Sequence, residues 1–209
     1  KSSGMMLTCR KDMGVNTTDD LKGKTLGVWF YGNEYPFLSW MSRLGLATDG
    51  SANGVTVLKQ GWGVEPLTEG QAACVSTMSY NEYWVVRDAG YTPEQLTVFK
   101  YQTEGASTLE DGLYVLEKNL GDASFKDKMV RFVRASMKGW KYAEANPKEA
   151  ASIILDNDDA GVQTEKHQVR MMGEIAKLTA GSNGSLDPSD YARTVKVLMS
   201  GASDPVITK

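Results

Sequence analysis

The sequence predicts an α/β protein, with a parallel sheet covered by helices on both faces and a mainly helical second half. Three observations support this prediction. Short apolar runs alternate with amphipathic helical patterns through the first half of the chain. A change of composition near residues 105–115, with Gly105 and Gly112, indicates a hinge between two parts. Beyond it the chain carries long helical patterns and few segments typical of strands.

The first half contains five predicted strands and three predicted helices. The first helix has Phe37, Met41 and Leu44 at helical spacing and stops at Gly45. Strands that alternate with helices at this spacing favour a parallel sheet with right-handed crossovers. The predicted strands span residues 5–10, 25–30, 55–59, 73–78 and 97–101, and the helices span residues 35–46, 66–70 and 80–89.

The second half is predicted to be almost entirely helical. A long helix over residues 125–145 places Phe132, Met137 and Trp140 on one stripe, with basic residues opposite. Asn146 and Pro147 then form a stop followed by a new helix start, and Asp187-Pro188 repeats the pattern. Such stripes need a surface to pack on, and this half has few strands to provide one.

Composition and charge exclude several classes of function. The net charge of −3 over 209 residues, with scattered basic residues, argues against a nucleic-acid binder. No apolar run reaches the roughly 18 residues that a membrane-spanning helix needs. Cys9 and Cys74 are predicted to be two buried thiols rather than a bridge. The only histidine, His167, lies on a polar helical face, so neither a metal site nor Cys–His catalysis is expected.

Aromatic, amide and carboxylate side chains recur where the predicted strands end. Ligands of open parallel sheets bind beyond the carboxyl ends of the strands. Rings can stack on a flat solute, and amides or carboxylates can pair with its N–H groups. Lysine and arginine, which would hold a phosphate or sulfonate, are absent from these tips, so a neutral or cationic nitrogen heterocycle is predicted. The alternative is that each residue only caps the core or begins a helix. The tips span residues 31–35, 60–63, 79–83 and 102–105.

Three stretches carry a family resemblance over nearly the whole chain: DLKGKTLGVWFYGNEYPFLSW, VLKQGWGVEPLTEGQAACVSTMSYNEYWVV and the helical region around KMVRFVRASMKGWKYAEANPKEAASIIL. They resemble the solute-binding proteins of bacterial ABC importers, in the branch similar to thiamine-pyrimidine-precursor binders and fungal pyrimidine synthases. The resemblance implies a type II periplasmic-binding-protein fold, in which two α/β lobes joined by two crossings hold a solute between them. It also implies an ABC permease as partner and a periplasmic or membrane-anchored extracytoplasmic location.

The resemblance further implies a domain assignment. Residues 1–18 would form the strand that enters lobe 2, residues 19–111 would build this α/β lobe, and residues 112–116 would cross back. The crossing strand and the helical part of lobe 1 would fill residues 112–209. Members of the family carry an additional N-terminal segment with the first strands of lobe 1, so this chain is expected to be truncated. Helices uncovered by that truncation would favour self-association.

The predicted site combines the resemblance with strand-tip position. By resemblance, Gly32, Asn33 and Glu34 line the cleft, and so do Tyr80, Asn81 and Glu82. Tyr31, Tyr35 and Trp62 are added from their places at the strand ends.

Two alternatives to a binding protein remain open at this stage. Fungal enzymes of the family use a histidine, a lysine-bound pyridoxal phosphate and a cysteine-rich iron motif. The chain has no cysteine cluster, and Lys11, Lys59 and Lys100 are the only lysines near strand ends. A non-enzymatic protein without a cofactor is therefore expected. A ligand-sensing regulatory module is the second alternative, although the chain supplies no DNA-binding domain.

Overall fold

The chain divides into two compact units. The computed structural model describes residues 3–200 and 207–208. An α/β unit contains residues 3–109 and 187–200, and a helical unit contains residues 110–186. The last helix thus belongs to the α/β unit, whereas the sequence assigns it to the helical part of the other lobe. Residues 112–116, expected as the returning strand, have no regular secondary structure, because no described segment pairs with them.

A five-stranded sheet forms the centre of the α/β unit. The strand order is β3-β2-β4-β1-β5. β2 is parallel to β3 and β4, whereas β1 is antiparallel to both β4 and β5. The strands are β1 (Met5–Arg10), β2 (Thr25–Val28), β3 (Thr56–Lys59), β4 (Cys74–Met78) and β5 (Leu96–Lys100).

The α/β fold class is confirmed, and all five predicted strands are present. The predicted parallel arrangement holds for β2, β3, β4 and β5, which share one direction, but β1 runs against its two neighbours. β1 is followed by short 3-10 turns rather than by a crossover helix, so it is not part of a β-α-β unit. It inserts between β4 and β5 instead, which makes the sheet mixed.

Helices flank this sheet and form the second unit. In the first helix, Phe37, Trp40 and Met41 are buried, and the Trp40 ring lies 5.5 Å from that of Phe99 and 5.6 Å from that of Tyr101. The predicted helix over residues 35–46 therefore packs its apolar stripe on the sheet. The helices are α1 (Glu34–Arg43), α2 (Glu65–Thr68), α3 (Glu82–Asp88), α4 (Ala123–Ala145), α5 (Pro147–Asp156), α6 (Glu165–Thr179) and α7 (Pro188–Met199).

Cys9 and Cys74 are joined in a disulfide, so the prediction of two free buried thiols is wrong. The two cysteines lie directly opposite each other in the antiparallel pair of β1 and β4, with Cα atoms 3.9 Å apart. Their separation of 65 residues along the chain gave no sign of this proximity. The bridge therefore ties the reversed strand covalently to its neighbour β4.

Alternate residues of the strands supply two apolar layers, one on each face of the sheet. Leu7, Cys9 and Leu26 belong to the larger cluster, which α1 covers. Val75, one residue after Cys74, points the other way and packs with Leu67, Val86 and Leu96. This packing on both faces explains why β4 is buried along nearly its whole length, including its polar residues Ser76 and Thr77.

The helical unit has a small core and a large exposed apolar surface. Ala150, Ala151 and Met172 form its buried cluster, where α5 meets α6. No residue of α4 is buried, and Phe132 and Trp140 on its predicted stripe are exposed. The expectation of self-association through such a face stays a prediction. Within the described helices, none is both long enough and apolar enough to cross a membrane.

Candidate functional site

The carboxyl ends of four strands meet at one edge of the sheet. β2, β3 and β4 are mutually parallel, and β5 shares their direction because both β4 and β5 are antiparallel to β1. The segments that follow these strands, residues 31–35, 60–63, 79–83 and 102–105, therefore lie along the same edge. All nine sequence-predicted site residues belong to this edge, which is where open α/β sheets bind ligands.

Tyr31 occupies a strained position at the tip of β2. Its φ of 65° lies in the left-handed region, and it is the one non-glycine residue with positive φ among those described. The next residue, Gly32, continues the turn with φ 110°. The Tyr31 side chain is 92% exposed, so burial in the core does not explain its conformation. Outliers of this kind concentrate at functional sites, where the surrounding structure holds them in place.

Local hydrogen bonds hold this turn. The Gly32 N–H donates to Glu34 Oε2 at 2.7 Å, and Asn33 Nδ2 donates to the Phe30 carbonyl at 3.4 Å. Asn33 is exposed at the start of α1, whereas Glu34 and Tyr35 in its first turn are half-buried. The Glu34 carboxylate therefore stabilises the backbone that presents the Tyr31 ring.

Lys59, the last residue of β3, lies against the Tyr31 ring. Its Nζ donates to the Tyr31 hydroxyl at 3.2 Å and lies 4.6 Å from the centre of the Tyr31 ring. The same ammonium is 5.6 Å from the Phe30 ring centre. The prediction that these tips lack a cation holds for the loop residues, but the register Val28↔Lys59 brings this strand residue to the neighbouring tip.

Trp62 projects from a loop whose backbone is held on both sides. Its side chain is 97% exposed. The buried Gln60 amide donates to the carbonyls of Gly63 (3.1 Å) and Ser76 (3.0 Å) and accepts from the Ser76 N–H (2.8 Å). The Trp29 indole Nε1 donates to the Gly61 carbonyl at 3.0 Å. The loop thus presents a free ring on a fixed support.

Gly27 makes room for the Gln60 amide to cross from β3 to β4. β2 lies between these two strands, and a Cβ at Gly27 would come within 3.2 Å of Gln60 Oε1 and 3.0 Å of Val75 Cγ1. The absence of a side chain therefore allows Gln60 to serve as a hydrogen-bonding bridge over β2.

Asn81 and Glu82 are held together at the tip of β4. Asn81 Nδ2 donates to Glu82 Oε1 at 2.7 Å, and the Met78 N–H donates to Glu82 Oε2 at 2.9 Å. Burial raises the pKa of the Glu82 carboxyl, although the hydrogen bonds from Met78 and Asn81 act in the opposite direction. Tyr80, like both of these residues, is half-buried. This tip therefore offers polar groups in fixed positions on the same edge of the sheet as the exposed rings.

A cavity of about 350 Å³ lies at the opposite edge of the sheet, between the end of β1 and the start of β5. Its Asp12 pairs with Arg10 at 2.7 Å, and the Arg10 guanidinium lies 5.2 Å from the Tyr91 ring centre. Arg10 and Asp12 thus compensate each other's charge, and Tyr91 is the one aromatic side chain that lines the cavity among the described residues. This edge is therefore less suited to a flat solute. Among the described residues, no group of three or more His, Cys, Asp or Glu could hold a metal ion.

The sequence identifies the tips but not the residues that organise them. By sequence Lys59 is a surface charge, and Gln60 belongs to its tip without a distinct role. The Trp29 ring packs against the core, while its indole N–H donates to the Gly61 carbonyl of the Trp62 loop. The position of Gln60, an amide directly after a strand, is visible in the sequence, but its partner Ser76 is not.

Comparisons with known proteins identify a family and a fold. The model of the family described as NMT1/THI5 like matches residues 1–150. A solved protein from Bordetella bronchiseptica RB50 is 15% identical, covers 98% of this chain and has a TM-score of 0.59. No curated protein matches the chain.

Two further solved structures are similar over about half of the chain. One concerns glutathione import in Gram-positive bacteria via GshT and the cystine ABC importer TcyBC of Streptococcus mutans, with 14% identity, 47% coverage and a TM-score of 0.36. The other is an ancestral arginine-binding protein bound to arginine, with 18% identity, 48% coverage and a TM-score of 0.31. The chain spans 65% of the Bordetella protein and 40% and 42% of these two structures.

Proposed function

The chain belongs to the NMT1/THI5-like family, and from this premise we propose that it is the solute-binding component of an ABC importer. Its solute is a small nitrogen heterocycle, such as a pyrimidine-like thiamine precursor, which it delivers outside the cytoplasm to a membrane permease. The observation that carries the proposal is the pair of exposed rings, Tyr31 and Trp62, on adjacent parallel strand tips. The family resemblance noted from the sequence is confirmed by the match over residues 1–150.

The chemistry of the edge supports a flat, hydrogen-bonding solute. Stacking of one heterocycle on an exposed aromatic ring contributes roughly 1–3 kcal/mol in comparable sites. The backbone beneath both rings is already hydrogen-bonded, so little freedom is lost when a solute binds. Asn33 and Asn81 add amide groups that can pair with ring nitrogens or amino groups.

We propose that the solute is bound and released unchanged. Stacking rings and amides bind and orient a solute, and neither is a strong general base or nucleophile. Cys9 and Cys74 are joined to each other inside the sheet, so neither is a thiol that could act in an iron motif. Incubation with a bound heterocycle, followed by mass spectrometry of the recovered ligand, tests this point. Any turnover, or a Schiff-base absorbance band after addition of pyridoxal phosphate, would favour the enzymatic alternative.

Calorimetric titration with a panel of pyrimidines, pyridines and flavins tests the binding function, with arginine and taurine as non-aromatic comparisons. We expect at least one heterocycle to bind, and we expect neither arginine nor taurine to bind. Trp62→Ala should weaken this binding about tenfold, as loss of one stacking contact implies. Tyr91→Ala, an aromatic truncation at the opposite edge, should leave it unchanged. Binding restricted to the non-aromatic solutes, or equal effects of the two variants, would contradict the proposal.

A further inference from the structure

We propose that Lys59 is a specificity-determining residue that selects heterocycles carrying an anionic substituent, such as a carboxylate or phosphate. This inference rests on the proposed function and narrows its solute class. It also replaces the expectation of a neutral or cationic ring, which was based on the composition of the tips.

The ammonium of Lys59 is fixed next to the exposed Tyr31 ring, and no carboxylate among the described residues compensates its charge. It donates to the Tyr31 hydroxyl at 3.2 Å and lies over the rings of Tyr31 and Phe30. These contacts use one of its three donors and restrict an otherwise flexible side chain. Within the part of the chain that the structure describes, no carboxylate forms a salt bridge with it. The remaining donors face solvent, because Lys59 is exposed.

The carboxylates at the same edge are occupied elsewhere. Glu34 accepts from the Gly32 N–H, and Glu82 accepts from the Met78 N–H and from Asn81. Both therefore direct their charge toward local donors rather than toward the Lys59 ammonium. Lys59 consequently contributes a positive charge to the surface on which a ring would stack.

This arrangement distinguishes solutes by their charge. A cationic ring stacked at Tyr31 would meet an ammonium that already lies over that ring, and like charges at this distance repel. A neutral ring gains stacking only. A ring with an anionic substituent adds a charge-assisted hydrogen bond to the Lys59 Nζ. Because the site is open to solvent, we expect this to strengthen binding about three- to tenfold rather than more.

Matched ligand pairs test the selection directly. Nicotinate and nicotinamide share one ring and differ in a carboxylate, and orotate and uracil form a second such pair. Calorimetric titration of the wild type should show that the anionic member binds about three- to tenfold more tightly, with a preference that falls as salt is raised. Lys59→Gln should abolish the preference, and Lys59→Arg should retain it. Lys11→Gln, which removes a lysine at the opposite edge, should leave it unchanged.

The outcomes separate this inference from the proposed function. Equal affinity for both members of each pair, with Trp62→Ala still weakening both, would overturn the role of Lys59 and leave heterocycle binding intact. A preference that survives in Lys59→Gln would overturn that role as well. Failure of every heterocycle to bind would overturn both proposals. Thermal unfolding of each variant verifies that Lys59→Gln and Lys11→Gln are folded.

Discussion

Replacing Gln60 with alanine would remove the bridge that connects β3 to β4 across β2. The side chain is 5% exposed and makes three hydrogen bonds, to the Gly63 carbonyl and to both backbone groups of Ser76. Alanine would leave the buried Ser76 N–H and carbonyl without these partners and would open a space over Gly27.

The expected loss of stability follows from these contacts. A net hydrogen bond contributes about 1 kcal/mol, and a buried backbone group left unpaired costs about 1–3 kcal/mol. We therefore expect Gln60→Ala to lower the free energy of unfolding by about 3 kcal/mol. The Trp62 loop should also lose one of its two supports, the bond from Gln60 to the Gly63 carbonyl, so heterocycle affinity should fall in the folded variant.

Urea denaturation of the oxidised protein measures this change, with Gln71→Ala as the matched control. Gln71 is exposed and its amide donates to the neighbouring Glu69 carboxylate, so its truncation should alter stability by less than about 0.5 kcal/mol. A faster decay of Trp62 fluorescence anisotropy in Gln60→Ala would report the loosened loop. The Trp62 signal is obtained by subtracting the signal of the Trp62→Phe variant. A stability loss for Gln60→Ala no larger than that of the control would refute the bridging role.

Three further perturbations follow from the same unit. Replacing both Cys9 and Cys74 with alanine should lower the free energy of unfolding by about 4 kcal/mol, because the bridge closes a 65-residue loop. Urea titration measures this loss, and a value below about 1 kcal/mol would contradict a stabilising bridge. Gly27→Ala should cost about 1–3 kcal/mol through contact with Val75 and Gln60, whereas the exposed Gly121→Ala serves as a control in the same thermal assay. Burial raises the pKa of Glu82, so between the usual and the raised pKa the folded state binds more protons than the unfolded state. The free energy of unfolding should therefore fall as pH rises through this window. Denaturation series at several pH values should show a flatter slope for Glu82→Gln, and an unchanged slope would contradict this prediction.

Local pattern was sufficient for most of the secondary structure and for which side chains follow each strand. The strand over residues 5–10 was predicted with its observed bounds, and the other four were found within two residues of theirs. This succeeded because apolar alternation and helix caps act over a few neighbouring residues. The direction of β1 was not predicted, since an apolar run has the same composition whichever way it pairs.

The sequence by itself determined where strands and helices form and which side chains follow each strand. Tertiary structure decided which of them meet: the Cys9–Cys74 bridge, the Gln60 amide on Ser76 and the Lys59 ammonium on Tyr31. Each of these contacts joins segments that are 16 to 65 residues apart. Their proximity depends on strand order and register, which are set by the pairing of backbone hydrogen bonds and by packing across the whole sheet. The composition of a single tip therefore does not show which side chains the neighbouring strand places next to it.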